Sequence, residues 1–216
     1  MKNDTRGIKE FIRDYPGMAF RPANDSAMIF TGLLSFTAKP EKLPEITDEY
    51  SLRIRVPNNF PKELPDVTEL GNKIRRINDF HIYSDGTLCL GSRLRLLMIL
   101  SKNPTLVGYT ENCIVPYLYA ISYKLKFGEK LPFGELSHGP TGELEDCRRL
   151  FGLKNIEQAK IVLVLLSLNK RQANKKPCPC NCGKRLVKCN FNKKIEEFRN
   201  LASRSWFRTL TGYHKL

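Results

Sequence analysis

The chain has 216 residues, 41% of them hydrophobic, and a formal net charge of +14. That length and apolar share suit one core domain with an appendage and exclude an intrinsically disordered chain. No apolar run approaches the ~20 residues that span a bilayer, and Met1-Lys-Asn-Asp-Thr-Arg6 leads into no apolar signal region, so a cytoplasmic protein with no membrane partner is expected.

The charge is uneven. Residues 170–216 hold 13 Lys or Arg against Glu196 and Glu197, whereas residues 1–169 are nearly neutral. A basic tail can meet nucleic acid, a ribosome or an acidic protein surface, and it can equally be a solvated face. The chain has seven cysteines, an odd number, and four of them crowd between positions 178 and 189. In a chain without a secretory signal that clustering reads as a metal site in a reducing compartment, not as a disulfide framework.

In chain order, Ile8 to Arg13 can form a short helix with Ile8, Phe11 and Ile12 on one face, and Pro16-Gly17 stops it. Met28 to Thr37 is apolar and rich in strand formers, so a strand is expected there, followed by a loop from Pro40 to Pro44. Tyr50 to Val56 alternates at period two, which points Tyr50, Leu52, Ile54 and Val56 inward from a half-buried strand. Pro57, Pro61 and Pro65 then forbid a helix and remove ladder donors, while Phe60 and Val67 can anchor this rigid connector on the core.

His81-Ile-Tyr-Ser-Asp-Gly-Thr-Leu-Cys89-Leu90 follows. It places a cysteine just after a Gly turn, where a thiolate can be exposed and nucleophilic; a buried structural cysteine is the plainer alternative. The order of strand, Pro-x-x-Phe-Pro-x-x-x-Pro-x-Val, His81 and Gly86-x-x-Cys89-Leu90 resembles a ubiquitin-conjugating enzyme over roughly residues 8 to 127. The resemblance implies a meander of strands, a Pro-rich segment, a His-Pro-Asn element and a catalytic cysteine after a Gly. It makes Cys89 the nucleophile. The His-Pro-Asn element appears here as His81-Ile-Tyr, closer to the cysteine than in the family. The family's Asn, which stabilises the oxyanion when an amine attacks the thioester, has no counterpart after His81, and Asn78 and Asp79 lie on its other side. Thioester formation is therefore better supported than isopeptide formation. Cys89 and His81 are the candidate catalytic residues, with His81 ordering the loop in preference to acting as a base. The shortened element, with Gly134-Glu-Leu-Ser-His138-Gly139 downstream, is similar to bacterial relatives of CBASS and ubiquitin-like defence operons.

Beyond Cys89, Arg93 to Leu100 is apolar-rich and Arg93 and Arg95 could lower the thiol pKa; Asn103-Pro104 interrupts the segment. Thr110 can cap a helix carrying Ile114, Leu118, Ile121 and Leu125 at helical spacing up to Gly128, with Cys113 near its start either activated by the dipole or packed in the core. The loop from Leu131 to Gly142 carries His138, a candidate for either site contact or backbone capping. Leu144 to Phe151 reads as a helical turn or two with a structural Cys147. Ile156 to Leu168 reads as a helix buried all round between domain and tail.

Cys178-Pro-Cys180-Asn-Cys182-Gly-Lys-Arg-Leu-Val-Lys-Cys189 suits tetrahedral zinc. The spacing resembles the SEC-C zinc motif, whose fourth ligand directly follows the third; here that residue is Asn190. Cys182 or His214 can complete the set. Four protein ligands would make the zinc structural. SEC-C modules bind partner proteins, so the resemblance implies docking. Lys193 to Arg204 reads as a basic helix with Ile195, Phe198 and Leu201 on one face, and Trp206 and Phe207 as anchors on the core or on a partner.

Together these readings predict an α+β fold, a ubiquitin-conjugating-enzyme-like antiparallel meander flanked by helices over 1–152. A connecting helix and basic linker over 153–176 and a SEC-C-like zinc module with a basic helical tail over 177–216 follow. The expected activity is a thioester between Cys89 and the C-terminal carboxyl of a protein substrate or modifier. The resemblance implies a CBASS-type nucleotidyltransferase as one such partner, in antiviral defence. No Gly-x-x-x-x-Gly-Lys-Ser/Thr motif is present, so activation of the acyl donor would come from elsewhere, such as an activating enzyme, or be stored in the partner. The alternative is an inactive adaptor of the same fold that docks partners or nucleic acid through the basic zinc tail.

Overall fold

The computed structural model describes residues 6–21, 27–128, 131–132 and 139–213. The chain separates into two compact units, 1–91 with 99–135 and 92–98 with 136–216.

The first unit is α+β. Helix α1 (Ile8–Asp14) precedes four antiparallel strands in sequential order: β1 (Met18–Arg21), β2 (Ala27–Ala38), β3 (Ile46–Pro57) and β4 (Asp66–Glu69). In α1 only Phe11 of the three expected apolar residues is buried, and Ile12 is exposed. The Phe11 ring meets Phe30 edge-on at 5.2 Å, which fixes the helix on β2. Strand β1 is not visible in the sequence. It is four residues long with only Met18 buried, so it carries no alternation to read.

The period-two reading of β3 holds: Tyr50, Leu52, Ile54 and Val56 are all fully buried. The Pro-rich connector from β3 to β4 is anchored as expected by Phe60 and Val67, both buried. Two helical stretches separated by a π turn cover the sheet: α3 (Leu106–Tyr109), the turn over Thr110–Ile114, and α4 (Val115–Phe127). The cap is Thr105, whose hydroxyl accepts from the Gly108 amide at 3.0 Å; Thr110 lies inside the run and donates to the Leu106 carbonyl. Cys113 consequently sits mid-helix rather than at a helix N-terminus. Ile114, Leu118 and Ile121 are buried and Leu125 is exposed, and Gly128 ends α4 in the left-handed conformation.

A buried polar chain ties α4 to the sheet. The Tyr50 and Ser122 hydroxyls lie 2.8 Å apart, Ser122 donates to Asp48 at 2.7 Å, and Lys73 pairs with Asp48 while its ammonium lies 4.2 Å from the Tyr50 ring centroid. The Tyr50 and Ser122 hydroxyls and the Asp48 carboxylate thereby each have a partner, as a low-dielectric interior favours.

The second unit is helical. It comprises Ser92 and residues 93–98 of α2 (Arg93–Leu100), then α5 (Gly139–Phe151), α6 (Ile156–Ser167), α7 (Lys170–Lys175), α8 (Phe191–Arg199) and α9 (Arg204–Tyr213). Asn155 and Gln158 form a reciprocal capping box at the start of α6. At its other end Arg199 donates to the Leu165 and Leu168 carbonyls at 2.6 and 2.9 Å. Val162, Leu163, Leu165 and Leu166 are buried, whereas Ile161 and Val164 are exposed, so α6 is not buried on every side. Ile195, Phe198, Phe207 and Leu210 pack into this unit's core, so Phe207 is a core anchor. Leu201 lies beyond the end of α8.

Helix α5 groups with the helices that follow it. Asp146 is fully buried and accepts from Ser92 and, in a bidentate pair, from Arg95. The Cys147 sulfur lies 3.9 Å from the Ala159 carbonyl, and the Phe151 ring lies 4.4 Å from that of Phe198.

Candidate functional site

The segment from Phe80 to Cys89 folds as a small hairpin on the edge of β4. Leu88 donates to the Val67 carbonyl and Glu69 to the Gly86 carbonyl, both at 2.8 Å. Ile82 and Leu88 face each other, Tyr83 donates to the Thr87 carbonyl at 2.9 Å, and Cys89 donates to the His81 carbonyl at 2.8 Å. That register sets His81 directly across from Cys89. The two residues singled out from sequence are thus brought together by backbone pairing.

The turn has a local cause. The Asp85 carboxylate accepts from the Thr87 amide at 2.9 Å, a bond that also holds its pKa below the usual carboxylate value. Gly86 sits at φ +85, where a side chain is strained. A Cβ there would lie 2.1 Å from the Arg76 guanidinium and 2.8 Å from the Glu69 carbonyl. Arg76 in turn donates to the Asn72 side chain at 2.9 Å and reaches the Glu69 carbonyl at 3.4 Å. His81 itself lies in the left-handed region at φ 50, closing the 3-10 turn Asn78–Phe80. Tyr117 of α4 donates to the Phe80 carbonyl at 2.7 Å and touches the His81 carbonyl at 3.3 Å. Burial, with the neighbouring Cys89, pushes the Tyr117 hydroxyl pKa well up, so this donor keeps its proton. Tyr117 was not singled out in the sequence; its helical spacing with the core residues hides a polar role.

Cys89 is half-buried and forms no disulfide. The other two cysteines outside the C-terminal cluster differ sharply. Cys113 and Cys147 are buried, and burial pushes each thiol up to about 12. Burial thus disfavours the thiolate, the reactive species, at both positions. Arg93 and Arg95 do not serve as free cations: Arg93 lies 3.6 Å from Glu143 and Arg95 is paired with Asp146. Asn78 and Asp79 are exposed on the 3-10 turn, and the Asp79 carbonyl accepts from Lys124 at 2.8 Å. His138 and His214 lie outside the described residues.

The second site is the cysteine cluster. Cys178 and Arg185 stand on the two arms of a short ladder in which Pro177 faces Arg185, Leu186 donates to the Lys176 carbonyl at 2.9 Å and Cys178 to the Lys184 carbonyl at 2.8 Å. Asn181 at φ 64 and Gly183 at φ 73 turn the chain between the arms. The result places the four sulfurs of Cys178, Cys180, Cys182 and Cys189 within 4.8 Å of one another. The Cys178–Cys180 and Cys180–Cys189 sulfur separations are 3.1 and 3.6 Å. Thiolates at about 2.3 Å from a tetrahedral ion would stand about 3.8 Å apart, so sulfurs already within 4.8 Å of one another could hold a metal ion after small shifts. The backbone amide of Lys184 pulls the Cys182 thiol down to about 7, and burial raises that of Cys178.

Among the described residues no helix is long and apolar enough to cross a membrane. No protein-family model, curated protein or solved structure matches the chain.

Proposed function

We propose that the chain is a thioester-forming acyl carrier of the ubiquitin-conjugating-like class, acting through Cys89 and carrying a structural zinc module. One observation carries this reading: of the three cysteines outside the cluster, Cys89 alone reaches the surface, and it does so on a hairpin fixed opposite His81. In the reaction the Cys89 thiolate attacks the carbonyl carbon of an activated C-terminal carboxyl. A C–S bond forms, and the donor's thiolate or adenylate leaves with the bonding electron pair. An amine or a second thiol then takes the acyl group and Cys89 is restored. Covalent catalysis of this kind divides one difficult transfer into two easier ones.

His81, pinned through its carbonyl by the Cys89 amide and the Tyr117 hydroxyl, orders the loop. The family resemblance suggests a CBASS-type nucleotidyltransferase or a ubiquitin-like modifier as the acyl donor's source; that step is analogy. Cys178, Cys180, Cys182 and Cys189 would hold the zinc ion, which would fix the fold of the C-terminal ladder.

The test is electrophoresis without reductant of the protein purified with its genomic neighbours. A thiol-labile adduct that becomes thiol-resistant in Cys89→Ser, as an oxyester, supports the reading. Adducts that persist in Cys89→Ala refute it and leave the non-covalent adaptor, which the missing Asn after His81 favours.

A further inference from the structure

Between residues 171 and 194 the chain holds eight Lys or Arg and no acidic residue. Arg171, Lys175, Lys176, Lys184, Arg185 and Lys188 are exposed, and among the described residues none is paired with a carboxylate. The cysteine ladder collects them. Lys176 bonds through its backbone to Leu186, Pro177 faces Arg185, and Cys178 bonds to Lys184, so cations eight to nine positions apart in sequence become neighbours on one small, turn-fixed module. A divalent ion with four thiolates carries two negative charges and would offset only a quarter of the eight cations. Neutralising the metal centre therefore does not account for the patch.

From this arrangement we infer that the cysteine module is a nucleic-acid-binding surface directed at the phosphate backbone. The composition separates this partner from an acidic protein. Six of the eight cations are lysine, which protein–protein interfaces deplete and which suits phosphate as a point charge. The one aromatic residue in the stretch, Phe191, packs with its ring 5.9 Å from that of Phe151, so it offers neither a hot-spot anchor nor a base-stacking platform. Binding should accordingly be independent of sequence and steeply salt-dependent. The inference needs the module but not any chemistry at Cys89.

The experiment uses the full-length, zinc-assayed protein and a fluorescein-labelled mixed-sequence 20-nucleotide single strand, with anisotropy read from 50 to 300 mM salt. Binding with Kd on the order of 1 to 100 μM near physiological salt is expected. Combining Lys175→Gln, Lys176→Gln, Lys184→Gln and Arg185→Gln should reduce the log–log salt slope by about 3, at about 0.7 per lost phosphate contact, and weaken binding at least about tenfold at 100 mM salt. Zinc content and Cys89 labelling should not change. Lys175→Arg with Lys176→Arg and Lys184→Arg should bind as the parent does. If the fourfold variant loses zinc, the single changes Lys176→Gln and Lys188→Gln carry the test, each expected to lower the slope by about 0.7. No binding at 50 mM salt, a slope unmoved by these changes, or displacement of the strand by equimolar polyglutamate would overturn the inference, the last in favour of an acidic protein.

Discussion

At Gly86 the hairpin leaves no room for a methyl group, since the Arg76 guanidinium and the Glu69 carbonyl already occupy the space and φ is positive. Gly86→Ala should destabilise the first unit by about 1–3 kcal/mol. A chemical-denaturation midpoint shifted by less than about 0.5 kcal/mol would mean the turn is not constrained as described. The cysteines make a second prediction at this scale. With metal bound, native protein should show one thiol reactive toward an aromatic disulfide, Cys89; a chelator should raise the number to five, and denaturant should expose Cys113 and Cys147 as well. Loss of the fast-reacting thiol in Cys89→Ala assigns it.

These residues also mark how much was legible from the amino acids alone. Cys89, His81 and the four clustered cysteines are readable because turn glycines and tight spacing leave a local signature. Arg76 and Tyr117 are not, because their work is done through contacts 7 and 36 residues away in sequence. Arg93 and Arg95 mislead for the same reason: proximity to Cys89 in sequence says nothing of Glu143 and Asp146, which take up their charge.

Among elements, β3 is the best announced, since one face is buried along its length and period-two alternation survives. The helical run that ends in α4 begins at Leu106, before the cap that the sequence suggests at Thr110, because Thr105 is the cap and a π turn intervenes that the spacing of Ile114, Leu118 and Ile121 does not reveal. Helix α6 depends on its capping box. Asn155→Ala should cost about 1 kcal/mol, within the range for lost helix caps, and should lower thermal stability measurably by circular dichroism at 222 nm. The link between β3 and α4 is a sharper probe. Ser122→Ala removes the group that both joins Tyr50 and donates to Asp48, so it should cost about 1–3 kcal/mol. Tyr50→Phe removes the hydroxyl but leaves the Ser122–Asp48 bond, so it should cost less. Equal effects would show that the chain of hydrogen bonds does not act in the order described.

For the whole molecule, alkaline pH is the informative variable. Burial raises Tyr50 from its usual value near 10 to about 12, and raises Cys113 and Cys147 from about 9 to about 12. The folded state therefore keeps protons there that the unfolded chain releases, so the stability these three groups contribute should hold up to about pH 9 and be lost from there to about 12. Fluorescence-monitored urea midpoints across pH 8 to 11 check this; a midpoint that rises with pH contradicts the burial of these groups.

The helical unit takes residues 92–98 out of the middle of the chain, immediately after the Cys89-Leu90-Gly91 end of the hairpin. Ser92 and Arg95 in that loan are bonded to Asp146, and Leu94, Leu96 and Leu97 are buried. The C-terminal half is thus no detachable cassette: a chain cut at residue 135 would be left with three unsheltered leucines a few positions after Cys89 in sequence. Any recombination that gained or shed the tail would have to remake the sequence just downstream of Cys89 as well.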